Sequence, residues 1–215
     1  MPPKLNRYRE FDPSICTNER AWPSNCWTVA SFDPSPTEHF AVRITKRYFT
    51  GTSKTKLVKL MKAGEHWKRS QRKKDYQVEM FNGLTSELEL IAEDLLTCHI
   101  LIIEEQREEA YENILIAQHC ISFLLLLLRD SPLRPLIYSV ESRLKTDMFK
   151  GTEWEKAREE KNKAWAERVG QQILEQRGDW KGLEFIQTYR RKHDLFDTVC
   201  QEEALFLHLA EIGKI

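Results

Sequence analysis

Twelve basic residues lie between Arg43 and Lys74, against a single acid, Glu65. They are Arg43, Lys46, Arg47, Lys54, Lys56, Lys59, Lys62, Lys68, Arg69, Arg72, Lys73 and Lys74, with Tyr48, Phe49, Trp67 and Tyr76 interleaved or adjacent. Lysine and arginine neutralise phosphates whatever the base sequence, and aromatic faces stack on bases. The basic residues with Trp67 are therefore the candidate surface for nucleic acid or an acidic partner. Within the block, Leu57, Leu60 and Met61 share one face of Lys54–Lys62 while Lys59 lies opposite, a pattern suited to an anionic lipid surface or an acidic groove. Lys68–Lys74 is dense enough for a nuclear import signal.

The charge inverts immediately afterwards. Between Leu84 and Asn113, nine acids (Glu87, Glu89, Glu93, Asp94, Glu104, Glu105, Glu108, Glu109 and Glu112) face one base, Arg107. The formal net charge of zero hides this segregation. The competing reading of the basic block is that it folds onto these acids and never meets a partner.

Other chemistry is harder to find. Cys98-His99 and His119-Cys120 are mirrored pairs of zinc-ligand types. Adjacent residues on a helix diverge by about 100°, however, so both members of a pair cannot point inward together. No nucleophile elbow, phosphate loop, zinc-protease helix or dinucleotide fingerprint occurs. His39, His66, His193 and His208 stand apart in sequence, and the carboxylates read as solvated helix faces. The sequence thus predicts no catalytic, cofactor-binding or metal-ligating residues, and no enzyme.

The elements that carry these residues follow from composition and periodicity. Six of eight prolines fall in the first 36 residues, which forbids a long helix there. Trp22, Trp27 and Phe32 make this stretch a candidate partner-binding arm. Phe40–Phe49 alternates well enough for one short strand. From Thr52 the pattern turns helical. Ser86–Glu89 and Thr152–Glu155 read as capping boxes. Leu84, Leu88, Ile91, Leu95, Cys98 and Ile102 form one apolar stripe, and Tyr111, Ile114, Ile121, Leu125 and Leu128 another. The two are displaced by about two residues, or roughly 200° of helix rotation, which predicts a hinge near 104–110. Five consecutive leucines, Leu124 to Leu128, cover every side of a helix and predict a central one, packed all round. The run from Ile114 to Leu128 is shorter than the roughly 18–20 residues that span a bilayer.

The expected fold is mainly α: an antiparallel bundle or short α-array of five to six helices over 84–215, with an extended Pro/Trp-rich arm and one short strand near 40–49. Three parts are expected: an arm (1–40), a basic, partly helical segment (41–82) and a helical domain (84–215). Five cysteines at wide spacing and no apolar N-terminal segment point to a reducing compartment, cytoplasmic or nuclear. The function expected from these features is a non-enzymatic interaction protein, an adaptor without cofactor that binds partner proteins. The alternatives are a nucleic-acid binder using 43–74, and a membrane-associated accessory protein. Self-association would follow from any apolar helix face the fold leaves uncovered.

Overall fold

A computed structural model describes residues 8–11, 23–37, 39–64 and 76–215. Among these, six strands form one mixed sheet: β1 (Tyr8–Phe11), β2 (Cys26–Asp33), β3 (Phe40–Tyr48), β4 (Ser53–Met61), β5 (Ile100–Glu105) and β6 (Leu136–Glu141). Their order across the sheet is β1-β6-β5-β2-β3-β4. The centre is parallel, with β2 beside β5 and β5 beside β6; the β2–β3, β3–β4 and β1–β6 pairs are antiparallel. The helices are α1 (Tyr76–Glu89), α2 (Ala92–Leu95), α3 (Tyr111–Leu128), α4 (Arg143–Phe149), α5 (Asn162–Gln176), α6 (Trp180–Gln187) and α7 (Lys192–Glu211).

The expected helical bundle is therefore corrected to a layered α/β fold. The physical reason lies in the central strands. A strand covered on both faces is apolar throughout and loses the alternation that identifies a half-exposed strand. Ile100–Ile103 is buried at every position and had read as the continuation of an apolar helical stripe. Leu136–Val140 is buried likewise. The phase displacement near 104–110 is real, but a strand and a turn separate the two helices there, not a hinge. Ser86 lies inside α1 and not at its N-cap, and α5 begins ten residues after Thr152. The strand expected at 40–49 is β3, and the amphipathic piece 54–62 is not a helix but β4 and the residue after it.

Strand alternation divides the core in two. On one face Val29, Ile102, Tyr138 and Val140 pack against α4, α5, α6 and α7, around Phe149, Trp165, Phe196 and Leu205. On the other, Ala30, Phe32, Val42, Leu101 and Ile103 pack against α1 and α3. The α3 helix does not run through a core surrounded on all sides. It lays Ile116, Ala117, Cys120, Leu124 and Leu128 on the sheet and leaves Leu126 66% exposed. By length and composition alone α3 could cross a membrane, yet its inner stripe is part of this core. Gly170 lets α5 approach α7: a Cβ there would lie 2.8 Å from Phe196. That contact helps fix the α7 N-terminus against the sheet.

Candidate active site

The parallel centre of the sheet determines where acidic side chains converge. Phe32 of β2 is in register with Ile103 of β5, so the next residues, Asp33 and Glu104, end neighbouring strands side by side. By alternation both lie on the α7 face of the sheet. Ligand sites of parallel sheets lie beyond these carboxyl ends, where no strand backbone blocks access. The N-terminal turns of α7 supply Asp194 and Asp197 from above, one helical turn apart on one face. From α4, which follows β6, comes Lys145.

Lys145 ties the cluster together. Its Nζ donates to Glu104 Oε2 at 2.7 Å and to Asp197 Oδ1 at 2.6 Å, and the residue is only 4% exposed. Burial pushes the lysine pKa down, but Asp197, Glu104 and Asp33 overcome it and hold the ammonium well above its usual value. Burial and the neighbouring Glu104, Asp197 and Asp194 push the Asp33 carboxyl well above the carboxylate range, against the opposing pull of Lys145. Glu104 is raised by burial, with Lys145 working against it. Of the four carboxylates, Glu104 and Asp197 thus bond this ammonium directly and Asp33 lies within its field. Arg191 Nε adds a bond to Asp194 Oδ2 at 2.9 Å, and His193 Nε2 lies 3.1 Å from Asp194 Oδ1.

A cavity of about 380 Å³ opens over this cluster, lined by Glu104, Glu105, Lys145, His193, Asp194 and Asp197 among others. Among the described residues no three histidine, cysteine or carboxylate side chains are placed to cage a metal ion. The donor chemistry nevertheless fits a hard divalent cation. All the candidate ligands are carboxylate oxygens, and Asp33 and Glu104 are raised first by burial and then by neighbouring carboxylates, a repulsion that a bound cation would offset.

The residues singled out from the basic block go elsewhere. Arg43 is 1% exposed and donates from Nη1 to Glu202 at 2.8 Å and from Nη2 to Asp179 at 3.2 Å. Arg47 binds Glu203 at 2.7 Å, an acid that Arg177 also holds. Lys56 pairs with Asp94 and Lys59 with Glu87, so part of the basic block does meet the acidic stretch that follows it. Lys54 and Lys62 are exposed and Lys46 half-buried. Of the aromatic arm, Trp27 and Phe32 sit in the two cores, 8% and 0% exposed. Trp22, Trp67, Lys68, Arg69, Arg72, Lys73 and Lys74 lie outside the described residues.

The carboxylate site carried signals in sequence that periodicity alone does not weight. Asp33 ends an apolar run and precedes Pro34-Ser35-Pro36; Glu104 and Glu105 end Ile100–Ile103; Asp194 and Asp197 have i,i+3 spacing at a helix start. What sequence lacked was the parallel pairing that makes three distant segments neighbours.

Two solved structures share the fold. One is RuvC of T. thermophilus in complex with Holliday junction substrate, with a TM-score of 0.52 and 13% identity over 86% of this chain and 96% of that one. The other is the yeast mitochondrial Holliday junction resolvase Ydc2, with a TM-score of 0.53 and 12% identity over 87% of this chain and 82% of that one. No protein-family model matches the chain, and no curated protein matches it significantly by sequence. The likeness overturns the reading of the chain as a non-enzymatic helical adaptor: its fold is shared with a Holliday junction resolvase and with RuvC bound to a Holliday junction, and helices cover a sheet whose strand ends carry a carboxylate cluster.

Proposed function

We propose that this protein is a divalent-cation-dependent nuclease that hydrolyses phosphodiester bonds in DNA, with branched DNA as its substrate class. One observation carries the reading: Asp33, Glu104, Asp194 and Asp197 converge from β2, β5 and α7 at the carboxyl ends of parallel strands, around the buried Lys145. Branched DNA is favoured because one structural neighbour is bound to a Holliday junction and the other is a Holliday junction resolvase.

In this reading Asp33, Glu104, Asp194 and Asp197 are the carboxylates that would close on the cation, since as they stand no three of them cage one. A cation held there would supply Lewis-acid stabilisation of the charge that builds on the phosphodiester during hydrolysis. Lys145 fixes the Glu104 and Asp197 carboxylates through its two short bonds and adds positive charge beside the reacting phosphate. Arg191 orients Asp194 through its Nε bond. Glu105 is held outward by Arg9, 3.0 Å away, and is not assigned as a ligand. The free thiols of Cys26, Cys98, Cys120 and Cys200 support a reducing compartment, cytoplasmic or nuclear, where DNA is available or adjacent.

The test is cleavage of a labelled four-way DNA junction in Mg²⁺ or Mn²⁺. Wild type should cut the junction and lose activity in EDTA. Asp197→Asn and Glu104→Gln should each lower the rate by at least about a hundredfold, comparable to losing a main electrostatic element. Equal cutting by wild type and both variants would place the activity elsewhere.

A further inference from the structure

A second cleft, of about 650 Å³, adjoins the acidic cavity. His39 from the β2–β3 connection, Lys163 from α5, Arg190 from the α6–α7 connection, and Arg191 and His193 at the start of α7 line it, with Leu60 and Tyr189 completing the wall. Lys163 and His193 also line the acidic cavity, so the two spaces share a wall. Their linings differ in charge. The first sets Glu104, Glu105, Asp194 and Asp197 among Arg107, Arg143, Lys145 and Lys163; the second has, among the described residues, three cationic side chains, two histidines and no carboxylate.

We infer that this cleft is the lane in which the sugar–phosphate backbone of the substrate strand lies next to the phosphodiester being hydrolysed. The inference rests on the nuclease reading and deepens it. A polyanion that must place one phosphodiester among four carboxylates is repelled there. Positive charge beside the site offsets that repulsion for the flanking phosphates. Arg191 is engaged with Asp194. Lys163 and Arg190 are exposed, and neither has a hydrogen bond or ion pair among the described residues, so both are available to phosphates. Tyr189 is held in the wall by its hydroxyl, which donates to the Val58 carbonyl at 3.1 Å. Lys163 lies in the first turn of α5, where backbone N–H groups and the helix dipole add charge of the same sign.

The test compares wild type, K163Q/R190Q and the control K54Q by fluorescence anisotropy with a labelled four-way DNA junction, in EDTA over a salt series. Lys54 is exposed at the far end of β4, about 20 Å along the strand from Leu60. K163Q/R190Q should bind about tenfold more weakly or worse. Its plot of log affinity against log salt should be shallower by about 1.5–2, the contribution of two phosphate contacts. K54Q should match wild type. Circular dichroism checks that the variants fold. If K163Q/R190Q binds with wild-type affinity and slope, or wild type does not bind DNA at low salt, the lane is overturned. If the double variant loses binding but wild type never cuts in Mg²⁺ or Mn²⁺, the lane stands and the nuclease reading falls. Cutting by wild type together with unchanged binding by the double variant has the opposite meaning.

Discussion

Asp33 is the residue whose environment costs the fold most visibly. Its pKa is raised by burial and by neighbouring carboxylates, so its ionised form is less stable in the native state than in the unfolded chain. For such a group, stability declines as pH rises from the ordinary carboxylate range through the raised native value. Asp33→Asn removes that burden. In metal-free buffer at pH 7 it should raise the melting temperature by about 2–4 °C for each kcal/mol relieved, while abolishing junction cleavage. Calorimetry in EDTA measures the first effect, and a lower melting point for Asp33→Asn would refute the crowding argument. Lys145 behaves in the opposite sense. Removing its ammonium leaves Glu104 and Asp197 without the cation that bonds both of them.

Among the elements, β3 and α7 are joined by charge rather than by apolar packing alone. Arg43 reaches Asp179 and Glu202, and Arg47 with Arg177 grips Glu203. Arg43→Ala leaves two buried carboxylates without their guanidinium and should cost about 3–5 kcal/mol in denaturant unfolding. Burial would raise Glu203, but hydrogen bonds from Arg177 and the charge of Arg47 bring it down to about 2. Its contribution is complete above about pH 4.5 and is lost as pH falls toward 2; it is on the order of 3 kcal/mol. Acid unfolding of Glu203→Gln should therefore be shallower over that window than that of wild type. The α3 helix offers a contrast within one leucine run. Leu124→Ala, at the sheet, should cost about 2–5 kcal/mol. Leu126→Gln, on the outer face, should change stability by less than about 0.5 kcal/mol. Similar losses at both positions would mean that α3 is covered on both sides.

At the scale of the whole molecule, the proposed nuclease reading links the site and the fold through a cation. Three chain segments far apart in sequence contribute carboxylates, so a ligand that neutralises them also holds β2, β5 and α7 together. Mg²⁺ should raise the melting temperature of wild type, by about 2.7 kcal/mol of stability at a hundred times its dissociation constant. The increment should grow with pH, because the raised Asp33 and Glu104 carboxyls must lose their protons to bind. Asp33→Asn should show a smaller increment. Thermal scans with and without Mg²⁺ at two pH values check this without reference to activity.

Local chemistry in the sequence determined the strand at Phe40–Tyr48, the helical character of much of the chain after residue 84, and the segregation of charge. At the start of α6, Asp179 caps the helix by accepting from the Gly182 N–H at 3.1 Å. These features depend on near neighbours and on periodicity. The sheet was not legible from the sequence, because β2, β5 and β6 are covered on both faces and show no alternation. Which charges are buried was not legible either. Arg43 and Lys59 belong to the same basic block, but Arg43 points between α6 and α7, where Asp179 at the α6 N-cap and Glu202 of α7 enclose it. Lys59, in the neighbouring strand, reaches Glu87 of α1. The acidic site is the clearest case. Asp33, Glu104 and Asp197 are ordinary carboxylates in three separate segments. Only the parallel pairing of β2 with β5, and the packing of α7 across their ends, brings them to one lysine. Contact between residues so far apart in the chain is set by tertiary packing, which no local pattern encodes.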